Sequence, residues 1–280
     1  MPSNYRKCIV SHLRCPQCFS TQLAQSEKGM RCRNCHADYP RVGNALNFID
    51  ENSRKQFNLE ETTNISDHPY DTRAQKIIGD LAEWGGVALD CGAGKKTVSI
   101  ENVIQLEIVP YPHIDILAVN QALPFQDNTF DAVFSLDVLE HVSDPFLCAR
   151  EIVRVLKPGG VLYLDMPFLC PEHGYPRHYF NATRMGVKRL FEDWMTFEEH
   201  YVPLSGHPIF ALTWFLTHYL NHLDPGVKER FAQMTVKQIV ARSPLDFLKD
   251  PIVTGLPQDS QWAIAATTQA ILRKGILTRS

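Results

Sequence analysis

From residue 86 to residue 167 short apolar runs alternate with turns and one clear amphipathic helix, and that rhythm restricts the chain to a layered α/β architecture. The runs GVALDCG, VIQLEI, IDILAV, FDAVFSL and VLYLDMP each have strand length and lack the breadth of a helix. The segment DPFLCAREIVRVLK reads as a helix stopped at Pro158-Gly159-Gly160. Upstream, DTRAQKIIGDLAEW places Ile77, Ile78, Leu81 and Trp84 at helical spacing behind Asp71, a suitable N-cap. Strands separated by helices predict a mostly parallel sheet with right-handed crossovers. NATRMGVKRLFED reads as a further helix, MTFEEHYVPL as a sixth strand and QWAIAATTQAILRK as a last, antiparallel strand.

The first fifty residues follow another logic. Four of the eight cysteines fall in the pattern Cys15-x2-Cys18-x13-Cys32-x2-Cys35. Each CPQC or CRNC pair forms a tight knuckle, and two knuckles offer the tetrahedral thiolate set that zinc prefers. A closed set of four has no open position, so the expected metal is structural. His36 reads as a neighbour of the site or a surface residue. The expected organisation is a zinc ribbon at 1–50, a polar linker at 51–70, and an α/β domain at 71–280 with a helical insertion at 207–258.

The net charge of −3 gives no global basic field for nucleic acid. No apolar stretch reaches membrane-spanning length, and the N-terminal residues lack a signal-peptide core, so a cytoplasmic location is expected. PIFALTWFLTHYLNHL is apolar around most of its helix. It reads as a buried helix, a homodimer interface or a roof over a substrate site, being too short to span.

ALDCGAGKK places Asp90 at the end of a buried strand, before a turn through Gly92 and Gly94. The glycines let backbone approach a ligand, but no third glycine completes GxGxxG. The next strand carries Glu107 near its end, where a Rossmann-type fold holds ribose hydroxyls. The run from Asn120 to Pro167 then joins an LPF turn, a VLEHV segment and an LKPGG turn. Together these motifs, across about residues 85–170, strongly resemble the class I S-adenosylmethionine-dependent methyltransferases of the type-11 group.

The resemblance implies a Rossmann-like methyltransferase sheet with S-adenosylmethionine as cofactor. It sets Asp90, Gly92 and Gly94 along the methionine part and Glu107 on the ribose. Asn120 and Leu123 border the adenine, and Leu136 lies close by. The short interval between Gly92 and the second strand leaves the first crossover helix very short or absent. The ribbon, from LRCPQC to CHADYPRVGNALNFI, resembles the zinc-ribbon family typified by the small activator subunit of tRNA and protein methyltransferases.

The acceptor side is expected beyond the fifth strand, where His173, Pro176, Tyr179 and Thr183 match a subgroup of the type-11 proteins. In that subgroup an aspartate stands where His178 is and an arginine near Asn181. An alcohol acceptor needs a general base, and His173, His178 and His141 are the candidates. Each has an alternative reading as a brace of its loop, as does Glu140. The leading function is methylation of an oxygen or nitrogen of a small molecule, sugar-containing or a secondary metabolite. The alternatives are RNA methylation with the ribbon as RNA contact, and a cofactor-binding scaffold without catalysis.

Overall fold

A computed structural model describes residues 9–60, 62, 69–96, 98–174, 177–267 and 269–270. Its sheet is an α/β assembly, mostly parallel with one antiparallel edge. Strands β5 (Ala88–Cys91), β6 (Val103–Glu107), β7 (Ile116–Leu117), β8 (Phe130–Leu136) and β9 (Leu156–Asp165) run parallel in the order β7-β6-β5-β8-β9. The antiparallel edge comes from the N-terminal segment: β1 (Leu23–Ser26), β2 (Gly29–Cys32), β3 (Asp38–Val42) and β4 (Ala45–Asn47) pair in sequence as an antiparallel meander. β4 then joins β7 in parallel, Leu46 opposite Ile116 and Asn47 opposite Leu117. The ribbon and the larger sheet thus share one core, in which Leu13, Met30, Tyr39 and Phe48 lie with Leu89, Leu106, Phe125 and Phe130.

Local chemistry sets the helix ends. α1 (Glu51–Gln56) starts at Asp50, whose carboxylate accepts from Ser53 N at 2.7 Å, so part of the expected linker is helical. α2 (Thr72–Trp84) is capped by Asp71 and ends at Gly85, φ 82°. α3 (Pro145–Val155) has Asp144 as N-cap and Pro145 in its first turn. α4 (Arg184–Phe191) starts at Thr183. The expected helix stop at LKPGG lies inside β9: Phe130 faces Leu156 and Ala132 faces Val161, so residues 157–160 form a bulge tied down by Lys157 Nζ on Asp131 at 2.8 Å. No helix occurs among the described residues between β5 and β6.

These elements form one compact unit, covering residues up to 168 and 174–200. A second unit comprises 169–173 and the chain from 201 onward. It contains α5 (Pro208–His222), α6 (Pro225–Ala232), α7 (Val236–Val240), α8 (Pro251–Thr254) and α9 (Gln258–Ala263). Among its described residues Leu223, Ile252 and Leu256 are the buried apolar ones, and α5 buries none of its own.

Two expected strands are replaced. MTFEEHYVPL forms no strand: Glu198 and Glu199 are exposed, and Pro203 cannot donate to a ladder. The expected closing strand starts as α9 behind Pro257, with alanine-rich chain after it, and 271–274 lies outside the described residues. No described helix is long and apolar enough to cross a membrane.

Candidate cofactor and metal sites

The C-terminal ends of β5 and β6 carry two buried carboxyls: Asp90 pairs in register with Gln105, and Glu107 stands two residues further along β6. Asp90 is 0% exposed and Glu107 is 5% exposed. The chain leaves β5 through Gly92 at φ 97° and Gly94 at φ 63°. A Cβ at Gly92 would lie 2.6 Å from Val138 Cγ2, so the turn needs glycine for conformation and for space. Glu107 closes the turn from below. Its Oε2 accepts from Gly94 N at 3.0 Å, and its Oε1 accepts from Ile108 N at 2.6 Å.

Burial pushes both carboxyls upward in pKa. At Asp90, Lys96 and the Tyr70 hydroxyl oppose that shift. Tyr70 OH donates to Asp90 Oδ2, and Lys96 Nζ stands 3.2 Å from the same oxygen. Asp90 Oδ1 is buried without a hydrogen-bond partner. Tyr70 and Lys96 carry no site signal in the sequence: one ends a polar stretch, the other is a variable position of the GxGxxG spacing.

At the opposite edge Asn120 is buried, and its Oδ1 has no hydrogen-bond partner. Leu123 is 0% exposed, and its N–H donates to Glu151 Oε2 at 2.9 Å. Leu136 is half-buried against the cluster of Tyr70 and Phe134. The donor set suits S-adenosylmethionine. Two buried carboxylates meet a ligand with cationic and hydroxyl groups, and an orphaned amide oxygen matches an amine donor.

The loop after β8 holds His141, and the segment after β9 carries His173 and His178. Asp137 adopts φ 53°, an uncommon conformation for a residue with a side chain. Glu140 is 0% exposed, neither carboxylate oxygen has a hydrogen-bond partner, and burial pushes its pKa up to about 8. The Glu140 carbonyl accepts from Tyr179 N at 2.6 Å, stitching this loop to the segment that carries His178. His141 and His178 have ring centroids 5.7 Å apart. The Arg177 carbonyl accepts from His141 Nδ1 at 2.7 Å, so the neutral ring carries its lone pair on Nε2. His178 Nε2 meets Asn181 Oδ1 at 2.8 Å. His173 belongs to the second unit, where its Nδ1 lies 3.1 Å from Pro171 O. Pro176 lies outside the described residues.

The four ribbon cysteines converge as their spacing predicts, with sulfurs all within 4.8 Å of one another. The Cys15–Cys35 and Cys18–Cys32 sulfur distances are both 3.5 Å, near the roughly 3.8 Å edge of a tetrahedron with zinc–thiolate bonds. The two knuckles repeat one geometry. Phe19 N donates to Cys15 O at 2.9 Å and His36 N to Cys32 O at 3.1 Å, with Phe19 and His36 at φ 60° and 63°. His36 is exposed and outside the sulfur cluster.

Residues 11–14 run along the LPF turn. Arg14 N donates to Pro124 O at 3.0 Å, and Gln126 N donates to His12 O at 2.8 Å. Arg154 completes the tie, donating to Leu123 O at 3.1 Å and to Phe125 O at 2.7 Å.

Residues 89–164 match the family described as a methyltransferase domain. The chain is 57% identical over 70 residues to cycloartenol-C-24-methyltransferase 1 of Oryza sativa subsp. japonica, covering 25% of this chain and 19% of that protein. It is 38% identical over 135 residues to the ubiquinone/menaquinone biosynthesis C-methyltransferase of Pseudoalteromonas translucida, covering 46% and 53%. Among solved structures it is similar to 1,6-didemethyltoxoflavin-N1-methyltransferase of Burkholderia thailandensis, with 18% identity, a TM-score of 0.33, and coverage of 44% and 65%. The chain spans from about a fifth to about half the length of these curated relatives.

Proposed function

We propose, from the methyltransferase domain at residues 89–164, that this chain is an S-adenosylmethionine-dependent methyltransferase acting on an oxygen or nitrogen of a small molecule. The observation that carries the reading is the pair of buried carboxylates, Asp90 and Glu107, at neighbouring strand ends beside a glycine turn. S-adenosylmethionine supplies an electrophilic methyl on a sulfonium. Asp90 would meet the methionine end, Glu107 the ribose and Asn120 Oδ1 the adenine amine, with Gly92, Gly94, Leu123 and Leu136 along the walls. Catalysis then rests on positioning and on exclusion of water by the apolar surround.

A proton leaving an alcohol or amine acceptor needs a base in this region. His141, with its lone pair on Nε2, and His178 are the histidines of this unit that support that role. Glu140, whose carboxyl burial pushes up to about 8, is not assigned as the base; its backbone carbonyl ties the loop to Tyr179. A sugar-containing or secondary metabolite is the acceptor class proposed. The family match ends at residue 164, before the segment 166–183, so it carries nothing about the acceptor. Two named relatives are carbon methyltransferases, which favours transfer to carbon as a second reading.

The ribbon, residues 1–50, is assigned structural zinc on Cys15, Cys18, Cys32 and Cys35. The linker at 51–70 and the catalytic domain at 71–280, with its insertion at 207–258, complete the organisation. A cytoplasmic enzyme that dimerises through α5 is part of the same proposal, supported by the exposed Ile209, Phe210, Leu212 and Trp214. The test is formation of S-adenosylhomocysteine with a panel of sugars, phenols, amines, quinols and total RNA. Turnover on a hydroxyl or amine supports the reading, turnover on RNA alone replaces it, and cofactor binding without any turnover leaves a scaffold.

A further inference from the structure

Three cation acceptors converge on one point beside the glycine turn. They are Asp90 Oδ2, the carbonyl oxygen of Ala93 and the face of the Tyr70 ring. The occupant is a side chain of this same chain: Lys96 Nζ lies 3.2 Å from Asp90 Oδ2, 2.6 Å from Ala93 O and 4.6 Å from the Tyr70 centroid. The Lys96 side chain is 10% exposed. A carboxylate, a backbone carbonyl and an aromatic face are the groups that hold an ammonium away from water.

We propose that Lys96 is a specificity-determining residue of the cofactor site: its ammonium fills the cation subsite of the methionine pocket, and S-adenosylmethionine enters by displacing it with a cationic centre of its own. This rests on the cofactor reading above. Occupancy of the acceptors favours exchange over addition. Lys96 Nζ already sits on Asp90 Oδ2, on Ala93 O and over the Tyr70 ring, so a second cation seeking the same three groups would meet like charge at contact distance. Exchange is mechanically simple. Lys96 stands two positions beyond Gly94, and its four-carbon stem can swing the ammonium to water, where it needs no protein partner. Neighbouring Lys95 is already exposed. The resting pocket therefore resists cationic ligands by the strength of the Lys96 contacts, and this residue sets how much cofactor is needed for saturation.

Calorimetric titration of the full, zinc-loaded chain with S-adenosylmethionine and with S-adenosylhomocysteine tests this in wild type, Lys96→Met, Lys96→Gln and Lys96→Arg. Removing the charge as Met or Gln should tighten binding by about tenfold or more, the order of one charge-assisted contact set, and Arg should give no tightening. Tightening of both ligands assigns the subsite to the α-ammonium, which both carry; tightening of S-adenosylmethionine alone assigns it to the sulfonium. Wild-type binding that either neutral variant leaves equal or weaker overturns the proposal and leaves the cofactor reading standing. Failure of every variant to bind either ligand overturns the cofactor reading, and the proposal with it. Without ligand, Lys96→Met should melt below wild type, because Asp90 loses its cation; an equal or higher melting temperature counts against the contact.

Discussion

Glu140→Gln isolates the cost of a buried carboxyl. The side chain is 0% exposed, neither carboxylate oxygen has a hydrogen-bond partner, and desolvation pushes its pKa from 4.5 up to about 8. Between those values the unfolded chain gives up a proton that the folded chain keeps. Stability therefore falls as pH rises through this window. At pH 5 only about 1 kcal/mol of the difference has accumulated, and by pH 8 it is nearly complete. Wild type should lose about 3–4 kcal/mol relative to Glu140→Gln from pH 5 to pH 8, at about 1.36 kcal/mol for each pH unit separating the unfolded and folded pKa values. Glutamine has the shape of the neutral acid, so packing is preserved. Asp165, also raised, to about 6, by burial and by Asp137, is present in both proteins, and its charge adds to the upward push on Glu140 as it ionises. Urea unfolding at pH 5, 6, 7 and 8 gives the number directly. A gap between the two proteins that stays constant with pH, or moves the other way, would refute the reasoning.

Three further outcomes are expected. Gly92→Ala should cost roughly 2–3 kcal/mol, from positive φ and the close Val138 methyl, and Val138→Ala should restore only the steric part; full restoration would mean that φ carries no strain. Metal analysis should find one zinc per chain, and a chelator should lower the melting temperature and speed amide exchange at 122–126, the turn that residues 11–14 brace; an unchanged melt with fully reduced thiols contradicts the site. If one of the paired histidines is the base, His141→Ala or His178→Ala should lower kcat by about 10²–10⁴ and remove the acid limb of the rate profile. An unchanged profile in both single variants and in the double variant excludes that pair.

The parts of the molecule legible in sequence are those fixed by local chemistry. Asp90 and Glu107 were visible because an acid ends an apolar strand, and the helix entry at Asp71 because a cap precedes a periodic run. The cysteine knuckles carry their own geometry. Long-range pairing left no such trace. Nothing in ALN announces that β4 would add to the edge at β7, and nothing in Tyr70 or Lys96 announces Asp90 as their partner. The KPGG segment reads as a helix stop from its residues, yet Lys157 reaching Asp131 holds it inside a strand as a bulge. At the C-terminus the apolar spacing of QWAIAATTQA suited a strand, but a helix entered behind Pro257 takes up its first three residues, and the chain from Ile264 to Thr267 forms no strand.

Everything functional proposed for this chain depends on S-adenosylmethionine binding at the ends of β5 and β6. Calorimetric titration of the zinc-loaded chain, with Glu107→Ala as the control, decides the matter. Wild type should show saturable one-to-one binding, and the variant should lose at least about tenfold in affinity, as expected when a buried carboxylate that bonds ligand hydroxyls is removed. Absence of binding in folded wild type, or equal affinity in both proteins, would contradict that placement of the cofactor.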